Sequence, residues 1–289
     1  MNWKVAGIVA VAVYALIGIG GMGYALFRAV RTFQREFKSD PLSVSRRQCN
    51  SKDPQISIKG CTAILQSPQA NDADRTYAHF QRGQSYERNG DLDLAIEDDT
   101  AVLKADPHEA MAWNHRAFVY QRKGDLDHAI ADYDQAIQLV PELVPAWFNR
   151  GNIYSMKGDY PHAIEDFSHV IKLEPRNSMA WNNRCYYRAI AGQLDDALAD
   201  CNQSLKLNPN ESATLDSRGF TYLRMKKYDL AVTDYDAALR MSPKNADSLY
   251  GRSLALRAQH DATGSGKDLA AAISIDPKVV ERFRKFGVS

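Results

Sequence analysis

Apolar residues recur with a helical period over most of this chain, and a longer repeat is superimposed on that period. Between residues 76 and 277, apolar side chains fall at helical spacing, interrupted in each unit by a turn such as Gly158-Asp159 and by a closing proline. The pattern predicts an all-α region of six helical hairpins. Each hairpin ends at a proline, and the prolines stand 34 residues apart: Pro107, Pro141, Pro175, Pro209, Pro243 and Pro277.

The repeat divides the chain into segments. We expect the six units at residues 76–109, 110–143, 144–177, 178–211, 212–245 and 246–277. We expect residues 32–75 to form a linker and an amino-terminal cap, with a helix at residues 56–65. Residues 278–289 predict an amphipathic capping helix with Val280, Phe283 and Phe286 on one side, because the last apolar face of a stack of hairpins would otherwise meet water.

The sixth unit departs from the pattern in its second half. Gly264-Ser265-Gly266 stands where the second helix should run, and glycine is a poor helix former. We therefore expect the second helix of this unit to begin near Lys267.

The third unit carries the motif of a known family. It resembles the tetratricopeptide repeat, whose pattern is W-x2-L-G-x2-Y, then A-x3-F, then P, although Arg150 stands in place of the leucine. The matching residues are Trp147, Gly151, Tyr154, Gly158, Ala163, Phe167 and Pro175. The resemblance implies a right-handed superhelical solenoid that binds other proteins or peptides.

The substitution of arginine for leucine recurs in every unit, and an aspartate follows each arginine by sixteen residues. One reading is two solvated faces; the reading that we favour is a ladder of ion pairs between paired helices, because charges at half-buried positions need partners. The ladder comprises Arg82, Arg116, Arg150, Arg184, Arg218 and Arg252 with Asp98, Asp132, Asp166, Asp200, Asp234 and Asp268.

The family resemblance also implies where a partner would bind. In such solenoids the first helix of each unit lines the concave side, where rings and amides suit a peptide or a partner helix. The alternative is that the rings only complete the packing between units. The candidate groove residues are Phe80, Gln84, Asn114, Phe118, Phe148, Asn152, Asn182, Tyr186, Asp216, Phe220, Tyr250 and Leu254.

Composition and motifs give no indication of catalysis. Lysine and arginine number 36 against 35 acidic residues, so no overall field would attract nucleic acid. The fragment ATGSGKDLA lacks the first glycine and the final hydroxyl of a phosphate-binding loop, and the seven histidines show no metal-ligand spacing. We expect no catalytic residue, metal site, cofactor or small-molecule substrate.

The amino terminus predicts a membrane segment. Residues 5–27 form an uncharged run of 23 residues, about 35 Å long as a helix, which exceeds a hydrocarbon layer of roughly 30 Å. We interpret residues 1–31 as an uncleaved anchor that attaches the chain to a membrane. The alternative is a signal sequence cleaved after Gly21-Met22-Gly23.

The four cysteines form two local pairs, Cys49 with Cys61 and Cys185 with Cys201. The first pair flanks a turn and can form a bridge; the second pair lies on opposing helices and forms either a bridge or two buried thiols. Paired cysteines favour an oxidising compartment. The lead-in CNSKDPQISIKGCT is also similar to that of exported tetratricopeptide repeat proteins of alphaproteobacteria.

These observations predict a non-catalytic binding scaffold with a single span in the inner membrane and its repeats in the periplasm. Basic residues after the span, Arg28, Arg31, Arg35 and Lys38, instead favour repeats in the cytoplasm, and cleavage would release the chain into the periplasm. The rival function is an accessory subunit of an envelope enzyme.

Overall fold

The structure, a computed structural model, describes residues 42–288. Within that range the chain forms fifteen α-helices and no strand. One compact unit ends at Ala101 and a second begins at Val102. The predicted membrane anchor lies outside the described residues, and no helix from residue 42 to residue 288 has the length and apolar character needed to cross a bilayer.

The first unit is built from three helices and most of a fourth. They are α1 (Ser43–Cys49), α2 (Pro54–Gln66), α3 (Asp72–Asn89) and α4 (Leu92–Ala105). The Asp53 side chain begins α2 by accepting hydrogen bonds from two of its first backbone N–H groups. A disulfide joins Cys49 of α1 to Cys61 of α2, and both residues lie in a small core with Ile64. The predicted amino-terminal cap is therefore two helices rather than one.

The second unit contains the remaining helices, which alternate as first and second members of hairpins. They are α5 (Ala110–Lys123), α6 (Leu126–Leu139), α7 (Val144–Met156), α8 (Tyr160–Leu173), α9 (Ser178–Ala191), α10 (Leu194–Leu207), α11 (Ser212–Arg224), α12 (Tyr228–Met241), α13 (Ala246–Ala258), α14 (Ala262–Ile275) and α15 (Val279–Lys285).

Each hairpin turns at a residue in the left-handed region of backbone space. Glycine occupies this position at Gly124, Gly158 and Gly192, where φ is 86°, 77° and 86°. The equivalent residues of the last two hairpins are Lys226 and His260, with φ of 59° and 68°. These two side chains adopt a conformation that glycine adopts more easily.

Close packing between the paired helices depends on small residues in the first helix. A Cβ atom added at Gly151 would lie 3.2 Å from the ring of Phe167 in the following helix, and one at Gly219 would lie 3.1 Å from the ring of Tyr235. Phe167 and Tyr235 are fully buried. The first helices of the last three hairpins, α9, α11 and α13, also contact one another in sequence order, so their neighbouring faces form one surface.

The expectation for the sixth hairpin was wrong. Its second helix begins at Ala262 rather than near Lys267, and it runs through Gly264-Ser265-Gly266. The Asp261 side chain accepts a hydrogen bond from the backbone N–H of Gly264 at 2.9 Å, which satisfies a donor at the start of the helix. Capping and the packing of Ser265 and Asp268, both buried, outweigh the low helix propensity of glycine here.

Candidate functional site

All six arginines of the predicted ladder contact the aspartate sixteen residues later. In each pair the guanidinium donates two hydrogen bonds, from Nε and Nη2, to the two carboxylate oxygens over 2.6–2.9 Å. The six aspartates are between 1% and 5% exposed. This two-bond geometry matches a planar guanidinium to a planar carboxylate, so each pair fixes the second helix of a hairpin against the first.

The remaining guanidinium nitrogen joins most of these arginines to the preceding helix. Nη1 of Arg150 donates to Asp134 at 2.5 Å, and Nη1 of Arg252 donates to Asp236 at 2.6 Å. Arg184 donates in the same way to Ser168 at 3.0 Å and Arg218 to Asn202 at 2.9 Å; within the first unit, Arg82 donates to Thr62 at 3.0 Å. The ladder therefore links successive hairpins as well as the two helices of one hairpin.

Aromatic rings lie close to most of these arginines, and Arg150 has one on each side. The guanidinium of Arg150 lies 4.8 Å from the ring of Trp147 and 5.7 Å from that of Tyr154, one helical turn to either side. The Trp147 indole N–H in turn donates to the carbonyl of Pro141 at 2.8 Å, which ties the first helix to the proline that ends the preceding unit. Sequence analysis identified Trp147 as a motif residue but did not predict its contact with Arg150.

The charge environment of the ladder favours the ionised aspartate in the first unit. Burial alone would raise the pKa of Asp98, but hydrogen bonds from Arg82 and His79 outweigh burial and hold that pKa below its usual value. The pairing also raises the pKa of Arg82. The pair is therefore an ion pair at neutral pH.

The fourth hairpin has Arg188 at the position where the neighbouring hairpins have Tyr154 and Tyr222. This arginine donates from Nη1 to Asp200 at 2.7 Å, so Asp200 accepts hydrogen bonds from both Arg184 and Arg188. A disulfide joins Cys185 of α9 to Cys201 of α10 at this level, and both cysteines are fully buried. Of the two alternatives for this pair, the structure contains the bridge.

The twelve candidate groove residues fall into separate groups in the structure. Phe80 and Gln84 lie half-buried on α3 of the first unit. In the second unit the half-buried members on α5 and α7 are Asn114, Phe118, Phe148 and Asn152. Phe148 packs edge to face on Phe167 with ring centroids 5.5 Å apart, so this ring contributes to packing within its own hairpin.

Of the other six candidates, four share a core cluster with α15 or pack on Phe286 just after it. Phe283 of α15 packs edge to face on Tyr250 and Phe220, with ring centroids 4.9 Å and 5.6 Å apart. Phe286, directly after α15, packs on Phe220 and Tyr186, in each case with centroids 6.1 Å apart. Leu254 belongs to the same core cluster. The remaining members, on α9 and α11, are Asn182 and Asp216.

These contacts correct the expectation of a groove that is open along every hairpin. Phe220, Tyr250 and Leu254 are between 2% and 7% exposed. The helix expected to cap only the end of the stack also lies across first-helix residues of three hairpins, because Phe283 and Phe286 find aromatic partners there. A partner can reach this part of the surface only when α15 moves.

Charged residues fix the position of α15 at one side. Arg282 donates from Nε to Asp247 at 3.1 Å and from Nη1 to Asp276 at 2.7 Å, and its Nη2 also contacts Asp247. These bonds raise the pKa of Arg282 against the effect of its burial. Sequence analysis did not single out Arg282 or Asp247, since neither repeats with the 34-residue period.

An acidic residue on α11 lies beside this pair. Burial raises the pKa of Asp216 to about 7, the Ser248 hydroxyl donates to the carboxylate and opposes the shift, and the charge of Asp247 adds to it. Burial raises the pKa of Tyr186 and of Tyr235, and the charge of Asp216 adds to both shifts.

Side chains that could bind a metal ion do not cluster in the part of the chain that the structure describes. Within residues 42–288 no group of three or more histidine, cysteine, aspartate or glutamate side chains could hold a metal ion. His128 and His162 each lie in the first turn of a helix, beside the aspartate that caps it. The imidazole of His128 contacts Asp125 at 2.8 Å, and that of His162 contacts Asp159 at 2.7 Å.

Comparison with known families agrees with this architecture. Family models described as "Tetratricopeptide repeat" match residues 76–109, 144–177 and 218–279, and one described as "TPR repeat" matches residues 120–158. Together the matches span more than half of the 289 residues. The chain belongs to the tetratricopeptide repeat family.

Solved structures of tetratricopeptide repeat proteins share the fold at low sequence identity. A member from Parabacteroides merdae ATCC 43184 is 20% identical with a TM-score of 0.62, over 85% of this chain and 97% of that one. PilW, a type IV pilus biogenesis factor, is 21% identical with a TM-score of 0.60, over 74% and 100%. YrrB, a TPR protein with an unusual peptide-binding site, is 20% identical with a TM-score of 0.52, over 65% and 99%. No curated protein matches the sequence.

Proposed function

We propose that this tetratricopeptide repeat protein is a non-catalytic scaffold that binds a short segment of another protein on the first-helix surface of its repeat region, residues 76–277. The observation that carries the proposal is the position of α15. A short amphipathic helix is bound on this surface by aromatic contacts to three successive hairpins and by an ion pair to Asp247. This is the helix-in-groove mode of recognition. The right-handed superhelix implied by the family would make the surface concave.

The chemistry of the neighbouring hairpins supports the same role. Phe118 and Asn152 stand half-buried on α5 and α7, where a ring and an amide can contact a bound polypeptide. The amide oxygens of Asn114 and Asn182 are buried without a hydrogen-bond partner among the residues that the structure describes. Rotation of either amide would offer a donor or an acceptor to a bound main chain.

Site-specific photo-crosslinking tests the proposal directly. A photoreactive residue placed at Phe118 should form a crosslink to a defined partner in cells, and Asn152→Ala should reduce the yield of the same adduct. The matched control is the same photoreactive residue at Met156, which is 65% exposed at the end of α7. Equal crosslinking from both positions, or none from Phe118, would contradict binding on this surface.

We propose further that the repeats work in the periplasm, attached to the inner membrane by residues 1–31. The proposal is supported by the uncharged run from residue 5 to residue 27 and by two disulfides, since bridges persist in oxidising compartments. PilW, one of the structural neighbours, is a pilus biogenesis factor. The similarity of the cysteine lead-in to exported alphaproteobacterial members stays an interpretation of the sequence.

Thiol labelling in intact cells tests the location. A membrane-impermeant thiol reagent should label the chain only after reduction with a reductant that does not enter the cytoplasm. Labelling without reduction would contradict the bridges, and labelling only after lysis would place the repeats in the cytoplasm. Amino-terminal sequencing of the mature chain separates an uncleaved anchor from a cleaved signal.

A further inference from the structure

The carboxyl-terminal segment buries more than a terminal cap requires. Val279 is fully buried and Phe283 is 3% exposed, in a core cluster that includes Phe220 and Tyr250. Phe286 extends the contact to Tyr186 and, at a centroid distance of 6.5 Å, to Tyr160 of α8. The apolar side of α15, together with Phe286 just after it, thus contacts residues from four hairpins.

The surface that α15 covers also matches it in charge. Asp247 at the start of α13 pairs with Arg282, and Asp216 lies beside them without an arginine or lysine among its described hydrogen-bond partners. The site therefore has acidic residues, Asp216 and Asp247, next to the aromatic residues Phe220 and Tyr250. The two other basic residues of α15, Arg284 and Lys285, are exposed and face away from this contact.

The attachment of α15 allows exchange. The helix has seven residues, and the described residues after it, Phe286 and Val288 among them, are only partly buried against the core cluster. A helix this short, held on the first helices by Val279, two rings and the ion pair to Asp247, can open locally without unfolding the hairpins. Another helix with the same features would fit the vacated surface.

We propose that α15 is a resident occupant of a helix-binding site on α9, α11 and α13, and that a partner protein enters this site in its place. The partner presents a short amphipathic helix with two aromatic residues three positions apart and an arginine directly before the first. This inference rests on the proposed function and specifies its ligand. Because α15 competes for the site, the partner can bind only while the site is free. The apparent affinity is therefore the intrinsic affinity multiplied by the fraction of molecules in which α15 has left the site.

A synthetic peptide of residues 276–288 serves as the probe. Its binding to the full-length chain in detergent is measured by fluorescence anisotropy, with wild type compared to the Phe283→Ala/Phe286→Ala variant. Release of the resident helix should tighten binding at least about tenfold. The matched control is Arg284→Ala/Lys285→Ala, which changes exposed side chains of the same helix and should bind as weakly as wild type.

Charge reversal tests the polarity of the site. In the Phe283→Ala/Phe286→Ala background, Asp247→Lys should weaken binding of the probe about tenfold or more, and a probe with Arg282→Glu should recover most of the lost affinity. Failure of the second probe to recover affinity would overturn the assignment of Asp247 as the partner of the arginine.

The outcomes separate this inference from the proposed function. Equal affinity for wild type and the Phe283→Ala/Phe286→Ala variant would show that α15 does not occupy the site in solution, and it would overturn the inference while leaving the scaffold intact. No binding to either protein would contradict a helix-binding surface altogether. A wild-type dimer that is lost in the variant would assign the site to a second copy of the chain and overturn the heterologous partner.

Hydrogen exchange on the wild-type chain keeps the test independent of any folding defect in the variant. Excess probe should increase exchange of the backbone amides in residues 279–286, because the resident helix is displaced. Unchanged exchange at saturating probe would overturn the inference.

Discussion

Arg150 holds Asp166 of its own hairpin and Asp134 of the preceding hairpin with one guanidinium group. The bonds to Asp166 are 2.6 Å and 2.9 Å long and the bond to Asp134 is 2.5 Å long. Asp166 is 1% exposed, whereas the side chain of Asp134 is 47% exposed. The buried bond therefore has the larger consequence for stability, and the exposed bond adds little.

Arg150→Ala should lower the free energy of unfolding by about 3–5 kcal/mol, because Asp166 is left buried without its cation. Chemical denaturation of the two proteins measures this difference. The Arg150→Ala/Asp166→Ala double variant should lose less than the sum of the single losses. Arg176→Ala, at an exposed arginine of the same unit, is the control and should stay within about 0.5 kcal/mol of wild type. An unchanged denaturation midpoint for Arg150→Ala would rule out a structural role for the ladder.

The 34-residue period was sufficient to predict the hairpins and the ion pairs, since both depend on residues that recur in every unit. The third bond of Arg82, Arg150, Arg184, Arg218 and Arg252 could not be predicted in the same way. Its acceptors are Thr62, Asp134, Ser168, Asn202 and Asp236, and these change identity from one unit to the next. Only their side-chain oxygen is shared, and a search for repeated residues does not detect it.

The position of α15 on the first helices could not be predicted from the sequence either. Its amphipathic pattern showed which side is apolar, but period and propensity do not indicate which surface that side will contact. Phe283 and Phe286 could equally have covered the end of α14. The position of α15 is determined by packing against Phe220 and Tyr250, which lie tens of residues away from α15 in the sequence.

Lys226→Gly should raise the free energy of unfolding by about 0.5–1 kcal/mol. Lys226 has φ of 59° at the turn where Gly124, Gly158 and Gly192 stand in the preceding hairpins, and glycine adopts that conformation without a steric penalty. Thermal unfolding should therefore show a higher melting temperature. The reverse change at an equivalent turn, Gly192→Ala, should lower it, and a lower melting temperature for Lys226→Gly would contradict the argument.

Gly60→Ala should disrupt the packing of α1 on α2. A Cβ atom at Gly60 would lie 2.4 Å from the backbone nitrogen of Cys49 and 2.5 Å from Cβ of Gln48, and backbone cannot move aside as a flexible side chain can. We expect a loss of about 1–3 kcal/mol and faster hydrogen exchange in α1.

Gly266→Ala is the matched control for the same chemical change. A Cβ atom there would meet no atom within 4 Å, and the residue lies inside α14, where alanine is favoured over glycine by about 0.8–1 kcal/mol. The two variants should thus shift stability in opposite directions. If both destabilise the chain equally, the close approach at Gly60 is not the cause.

Asp216→Asn should remove a pH-dependent loss of stability. Burial raises the pKa of Asp216 to about 7, above its value of 3.8 in an unfolded chain, so folding takes up a proton between roughly pH 4 and pH 7. The stability that wild type has below pH 4 is therefore lost progressively as pH rises to about 7, and asparagine, which does not titrate, avoids this loss. The difference in unfolding free energy between variant and wild type should grow over that window by a few kcal/mol and stay constant above it. Asp195→Asn, at an exposed aspartate, should show no such change. A variant whose stability parallels that of wild type from pH 4 to pH 8 would show that Asp216 titrates normally in the folded chain.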